Sequence, residues 1–434
     1  MVRYRWSVLF LTFLCYTSYH LSRKPLSVVK NVLHQNCSQL VPPPGTPVDS
    51  YWCSYPPFDK EDGDKLLGQL DSAFLFAYAF GMFASGFIAE RVDVRYFLSI
   101  GMIFSGIFTY LFGIAKSYQI HSFAYFFIVQ LLCGLCQTSG WPGVVSCVGN
   151  WFGEARRGLI FGIWNSHTSI GNILGGLIAA AYVDRDWSLS FIVPGLIIAL
   201  TGFLMFLFLV PRPRDVGLLS MDMETESRDA PSPILMSAHG ESAIGFREAL
   251  RIPGVIEYSL GLFFAKLVSY TFLYWLPRYI KVRTVFSNEE SANLSTLFDV
   301  GGILGGIAAG YLSDRYRLPA ITCGGMLVSA IPMLFLYDTY GSSDMTTNIA
   351  LLMCVGFLVN GPYALITTAV SAMLGQHKSI HGKSRALATV SAIIDGTGSI
   401  GAAIGPLLAA YISATGWNNV FYMLMVSDIL ALLA

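Results

Sequence analysis

Apolar stretches long enough to cross a bilayer recur almost from end to end of this 434-residue chain. About 20 predominantly apolar residues make a helix that spans the hydrocarbon region. Such runs fall at roughly 6–32, 67–89, 96–115, 122–148, 158–182 and 189–210, and again at 254–280, 292–313, 319–337, 347–373, 385–412 and 417–434. In lipid each backbone polar group has to be satisfied inside the structure, and runs of this length do so as helices. Only 12% of the residues are charged and 54% are hydrophobic, against about 25% charged in soluble domains. The chain reads as all-α: a polytopic membrane protein of twelve transmembrane helices.

Residues 211–251 are rich in Pro, Ser, Asp and Glu and poor in apolar side chains, which makes them a solvated linker. They separate an N-terminal six-helix bundle, 1–210, from a C-terminal one, 252–434, whose last helix stops in an apolar run at Ala434 and is expected to be cut short. The first apolar run is too long for a secretory signal and is read as the first span. Lys and Arg in the short loops favour one side, with Arg3, Arg5, Arg91, Arg95, Arg156, Arg157, Arg315, Arg317, Lys378, Lys383 and Arg385. That bias puts both termini and the linker in the cytoplasm. The opposite loop, 31–64, carries the glycosylation sequon Asn36-Cys37-Ser38 and a second cysteine, Cys53. A glycan on Asn36 and a Cys37–Cys53 disulfide are expected if this loop faces an oxidising compartment. Another sequon begins at Asn293, close to the membrane.

Charge inside the spans is the second constraint. Arg23 and Lys24 interrupt the first apolar run. A charged side chain in a span is unfavourable by at least a few kcal/mol, and an anionic ligand would offset that. Tyr16, Tyr19 or His20, and Arg23 share a helix face. The guanidinium fork matches a phosphate bidentately and keeps its charge. In span seven, Lys266 lies on the face of Tyr270 and Tyr274 and is the nearest further cation. Asp299 in span eight and Asp395 in span eleven are intramembrane carboxylates, functional candidates by default, and one of them is expected to pair with Lys266 or Arg23.

The two halves repeat. Gly86-Phe-Ile-Ala-Glu90-Arg91 after span two matches Gly310-Tyr-Leu-Ser-Asp314-Arg315 after span eight. Gly171-Asn-Ile-Leu-Gly175, with Trp187 and Phe191, matches Gly401-Ala-Ala-Ile-Gly405, with Trp417 and Phe421, at a constant offset of 230 residues. The G-x-x-x-(D/E)-R loop resembles that of the major facilitator superfamily, whose fold has two six-helix halves with substrate bound between them. In that fold Glu90-Arg91 and Asp314-Arg315 are conformational elements that pair with neighbouring helix ends.

A narrower resemblance rests on Arg23-Lys24, Gln137-x-x-x-Trp141-Pro142, Trp151-Phe152, Arg157-Gly158, Trp164-Asn165, Asn360-Gly-Pro-Tyr363 and Ile394-Asp395-Gly-Thr-Gly. These stretches look like the organophosphate:phosphate antiporters and, within them, the sugar-phosphate exchangers of the thirty-seventh solute-carrier family, over the whole chain except the linker. The resemblance implies exchange of a sugar phosphate, glucose 6-phosphate foremost, for inorganic phosphate. It also implies an endoplasmic reticulum membrane location and a phosphate-clamping arginine at Arg23, with Lys24 beside it. Where the bacterial antiporters carry a second arginine this chain has Ser269, so Lys266, one turn earlier, is expected to supply that charge. The histidine of the bacterial span five aligns with Thr168, one residue after His167. His167 remains a candidate because a histidine changes charge near neutral pH. Asn360, Tyr363 and Thr367 from span ten, and Tyr78, Gln137 and Trp141 from the first half, are expected to meet sugar hydroxyls; Tyr19 and Tyr270 complete the candidates.

The sequence has no metal-ligand cluster, nucleophile elbow or Walker lysine. No cofactor, no enzymatic activity and no nucleic-acid partner are expected; the partners are inorganic phosphate, a sugar phosphate and membrane lipid. Cys133-x-x-Cys136 and the Gly302, Gly306, Gly310 series are read as helix-packing positions. The competing functional reading is a proton-coupled symporter of another organic anion or sugar, working through Asp299 or Asp395.

Overall fold

Proline lacks the backbone N–H that a helix interior needs, and the first apolar run breaks where Pro25 follows its two cations. Helix α1 (Val2–Arg23) ends on the arginine and α2 (Pro25–Leu33) begins after Lys24. The structure, a computed structural model, describes residues 2–35, 37, 45, 52–89, 92–151, 164–217, 246–375 and 387–434. Asn36, Glu90, Arg91, Phe152, Arg156, Arg157, Gly158, Lys378, Lys383, Arg385 and most of the linker lie outside these residues.

The first half continues with α3 (Gly63–Ala89), α4 (Val94–Ile114), α5 (Phe123–Gln137), α6 (Gly140–Trp151), α7 (His167–Val183) and α8 (Leu189–Phe208). The second half holds α9 (Val255–Arg283), α10 (Asn288–Tyr316), α11 (Pro319–Tyr340), α12 (Met345–Leu365), α13 (Leu387–Ile412) and α14 (Trp417–Leu433). Among the described residues, eight helical stretches are long and apolar enough to cross a membrane. Local signals set the ends. Ser287 and Glu290 form a reciprocal capping box at the start of α10, and the Asp344 carboxylate accepts the Thr347 N–H at the start of α12. Gly416, at φ +126°, makes the turn between α13 and α14.

The internal repeat has a packing cause. Helix α7 lies on α1, and α13 lies on α9. A Cβ at Gly171 or Gly175 would run into the Thr17 and Leu21 carbonyl oxygens; at Gly401 or Gly405 it would run into those of Phe263 and Leu267. Lipid supplies no hydrophobic drive for helix association, so close backbone approach through small residues holds such pairs together. Between α10 and α12 the same close approach comes at Gly301 and Gly305, against the Met353 and Phe357 carbonyls, while Gly302 meets the Asn360 side chain and a Cβ at Gly310 would meet nothing within 4 Å.

The halves meet along three helix pairs: α3 with α13, α7 with α10, and α2 with α9. Their polar contacts cluster at the ends nearest the 31–64 loop. Ser72 Oγ donates to the Ala403 carbonyl (3.4 Å), and Asn288 Nδ2 donates to Asp184 (2.7 Å). Arg278 donates to the His34 carbonyl (2.5 Å) and pairs with Asp64 (3.3 Å). Asn31 Nδ2 donates to the Pro277 carbonyl (3.4 Å). These contacts close the interface on the side of the 31–64 loop. Cys37 and Cys53 are joined by a disulfide in the adjoining loop. Asn293 is held within α10, half-buried. Asp314 and Arg315 are exposed at the other end of α10, and neither forms an ion pair with a described residue.

Candidate functional site

Three helix breaks surround the centre of the interface. Span one breaks after Arg23. Span four breaks between α5, which ends on Gln137, and α6, whose first turn contains Trp141-Pro142. Span ten passes through a π-turn at Ile366–Val370 just after Tyr363. Such interruptions free backbone groups and re-aim side chains, and they concentrate at functional sites.

Arg23 is buried, with 6% of its surface exposed. Its Nε donates to Gln137 Oε1 (2.6 Å), and its guanidinium lies 4.6 Å from the centre of the Tyr78 ring. Nη2 is buried and has no hydrogen-bond partner. The arginine lines a small cavity with Phe74, Thr109, Gln130 and Tyr274. A second small cavity is bounded by Tyr16, Tyr78 and Trp141 from the first half and by Lys266, Tyr270, Tyr363 and Asp395 from the second. Tyr78 touches both Arg23 and this second space, and its hydroxyl is 3.4 Å from that of Tyr16. Lys266 pairs with Asp395 (2.8 Å), reaches Ser399 Oγ (3.4 Å) and sits over the Tyr363 ring. The expected carboxylate partner of a buried cation is thus Asp395, for Lys266. Thr367 lines the same space.

Several other expected site residues are engaged by the protein itself. Lys24 donates to the Leu273 carbonyl of α9 (3.1 Å), across the interface. Leu273 is four residues before Pro277, so its carbonyl has no intrahelical N–H to accept. Asp299 accepts from Asn172 of the other half (2.9 Å), and Asn172 in turn contacts His20 Nδ1 (3.2 Å). Tyr19 bonds Ser139 (2.9 Å). Asn360 accepts from Ser269 Oγ (2.5 Å) and lies against Gly302. Gln137 is fully buried, with its oxygen on Arg23 and its nitrogen on Ser22 and Ser105. His167 is buried among Tyr16 and Trp164, while its neighbour Thr168 lines the central cavity. These contacts tie the helices to one another, while Asp299 Oδ2 and His167 Nε2 stay buried without a hydrogen-bond partner.

Sequence reasoning passed over Lys30 and Asp71. Both are fully buried and ion-paired, and Lys30 also donates to the Tyr274 carbonyl (3.0 Å) and lies 4.0 Å above the Trp275 ring. The signal was present: Lys30 follows Arg23 by seven residues, and Asp71 is a carboxylate within an apolar run.

Residues 51–382 and 286–434 match the family described as Major Facilitator Superfamily. The glucose-6-phosphate exchanger SLC37A2 of Danio rerio is 56% identical over 449 residues, covering 99% of this chain and 91% of that protein. The chain belongs to the glucose-6-phosphate exchanger family of the major facilitator superfamily. Its similarity to SLC37A2 of Homo sapiens is 55% identity over 99% of this chain and 91% of the human protein, and to the human exchanger SLC37A1 it is 48% over 99% and 92%. A solved bacterial homolog of the human lysosomal transporter Spinster, inward-facing and unoccupied, superposes with a TM-score of 0.67 at 20% identity, over 95% of this chain and 83% of that one. That likeness establishes the fold of this exchanger-family chain.

Proposed function

We propose that this protein exchanges a sugar phosphate, foremost glucose 6-phosphate, for inorganic phosphate by alternating access. The observation that carries the reading is Arg23: a buried guanidinium with an unpartnered Nη2, at the interface of two halves, in a chain 56% identical to a glucose-6-phosphate exchanger. The phosphoryl group is the feature common to both substrates, and Arg23 is its anchor. Lys266 is held by Asp395 and exchanges that carboxylate for the incoming dianion, which draws the second half toward the first. Tyr78 and Tyr16 stand between the two cations, and Tyr270, Tyr363, Trp141 and Thr367 offer polar and aromatic groups to the sugar. Phosphate compensates the buried positive charge, so the loaded carrier closes readily while the unloaded one does not, and flux requires exchange. Proton coupling is the less favoured reading, because Asp395 is ion-paired with Lys266. The proposed site of action is the endoplasmic reticulum membrane, with the disulfide-bearing loop in the lumen.

The test is uptake of labelled phosphate into proteoliposomes loaded with phosphate or glucose 6-phosphate, without a pH gradient. Arg23→Ala is expected to lower exchange by about 100-fold or more, with Arg23→Lys in between because it keeps charge but loses the fork. Normal exchange by Arg23→Ala would refute the assignment of the anchor.

A further inference from the structure

We propose that Gln137 is a positioning residue. It holds Arg23 by Nε and so presents the terminal edge of the guanidinium, Nη1 with Nη2, to phosphate. This rests on the exchange reading above.

A guanidinium has two edges that can take two oxygens at once: Nε with Nη2, and Nη1 with Nη2. Gln137 Oε1 accepts the Nε proton at 2.6 Å, which removes the first edge from use. Nη2 stays buried without a protein partner. The face of the guanidinium lies on Tyr78, 4.6 Å from the ring centre, so it is not free to swivel toward the other edge.

The glutamine is itself fixed. Its Nε2 donates to Ser22 Oγ of α1 (3.0 Å) and Ser105 Oγ of α4 (2.9 Å). Both amide hydrogens are therefore used, and none is left for a sugar hydroxyl. Turning the amide over would set its NH₂ against the arginine N–H, donor to donor, and give the serines an acceptor in place of two hydrogens. With 0% of the glutamine exposed, no bulk water replaces a lost bond. The arrangement spans three helices and converges on one atom of one ligand-binding group. The break after Gln137 separates it from Trp141, four residues on, so only Trp141 lines the central cavity.

The full chain is reconstituted in phosphate-loaded proteoliposomes, and exchange of labelled phosphate and labelled glucose 6-phosphate is measured against concentration. Gln137→Leu is expected to raise KM for both substrates by about 10-fold, with maximal rate per reconstituted carrier within about twofold. Ser105→Ala, which removes one anchor of the amide, is expected to raise KM by about 3-fold and decides the matter if Gln137→Leu does not reconstitute. In the Arg23→Lys background, which has no Nε to hold, Gln137→Leu is expected to add less than about twofold. An unchanged KM with a lowered maximal rate or melting temperature, or the same KM rise in the Arg23→Lys background, would overturn the proposal and leave exchange standing. Wild-type vesicles that do not exchange would overturn the exchange reading and this proposal with it.

Discussion

Single side chains at this interface divide by whether the protein has already satisfied them. Lys266 and Asp395 compensate each other at 2.8 Å in a low-dielectric site. Removing one partner of a buried pair strands the other charge and is destabilising by about 3–5 kcal/mol. Lys266→Ala is therefore expected to lower the melting temperature in detergent, and Lys266→Ala combined with Asp395→Ala to recover most of it. Exchange, in contrast, is expected to stay depressed in the double variant, because the second cation is gone. Recovered exchange would show that Lys266 serves folding alone. Arg23 and Lys24, adjacent in sequence, turn to different partners for a local reason. Arg23 is the last residue of α1 and points to Gln137 and Tyr78, whereas Lys24, in the break before Pro25, turns to the other half.

At the level of elements, proline chemistry joins span one to span seven. Pro277 leaves the Leu273 carbonyl without a helical donor, and the Lys24 ammonium fills that need. Pro277→Ala restores an N–H that competes for the carbonyl. Lys24 then loses its acceptor, and the contact between α2 and α9 on the side of the 31–64 loop weakens. The expected outcome is faster labelling of an introduced Thr296→Cys by a membrane-impermeant thiol reagent added from the loop side, against the same cysteine in the unaltered background. Equal labelling rates would mean that the lysine contact contributes nothing to closing the interface there. Asn31 and Lys30 add donations to the Pro277 and Tyr274 carbonyls, so one segment of the first span lies along residues 273–277 of α9.

For the whole molecule, the contacts at the end nearest the 31–64 loop close the interface there, and the proposed alternating access requires them to open. A Cβ at Gly176 of α7 would lie 3.0 Å from Thr296 Cγ2 of α10, so side chains at these two positions are in direct contact. The Gly176→Cys, Thr296→Cys pair is expected to cross-link under mild oxidation and stop exchange, and reduction is expected to restore it. The wild-type chain, with its free cysteines at 15, 133, 136, 147, 323 and 354, provides the control. Full exchange by the cross-linked protein would rule out opening between these helices as a step of transport.

The helix-rich membrane architecture, the duplicated glycines of spans five and eleven, the broken first span and the buried cations could all be read from residue order. Each depends on local chemistry: apolar length, a missing Cβ, a missing N–H, a charge where lipid should be. The resemblance carried by short motifs supplied the family. Tertiary structure alone decided which partner each polar group found. Asp395 lies 129 residues from Lys266, Asp71 41 from Lys30, and Gln137 114 from Arg23. Helical periodicity tells which residues share a face and is silent on what that face meets. For that reason Gln137 and Asn360 looked like sugar contacts in the sequence, and the packed helices turned one to the arginine and the other to Ser269.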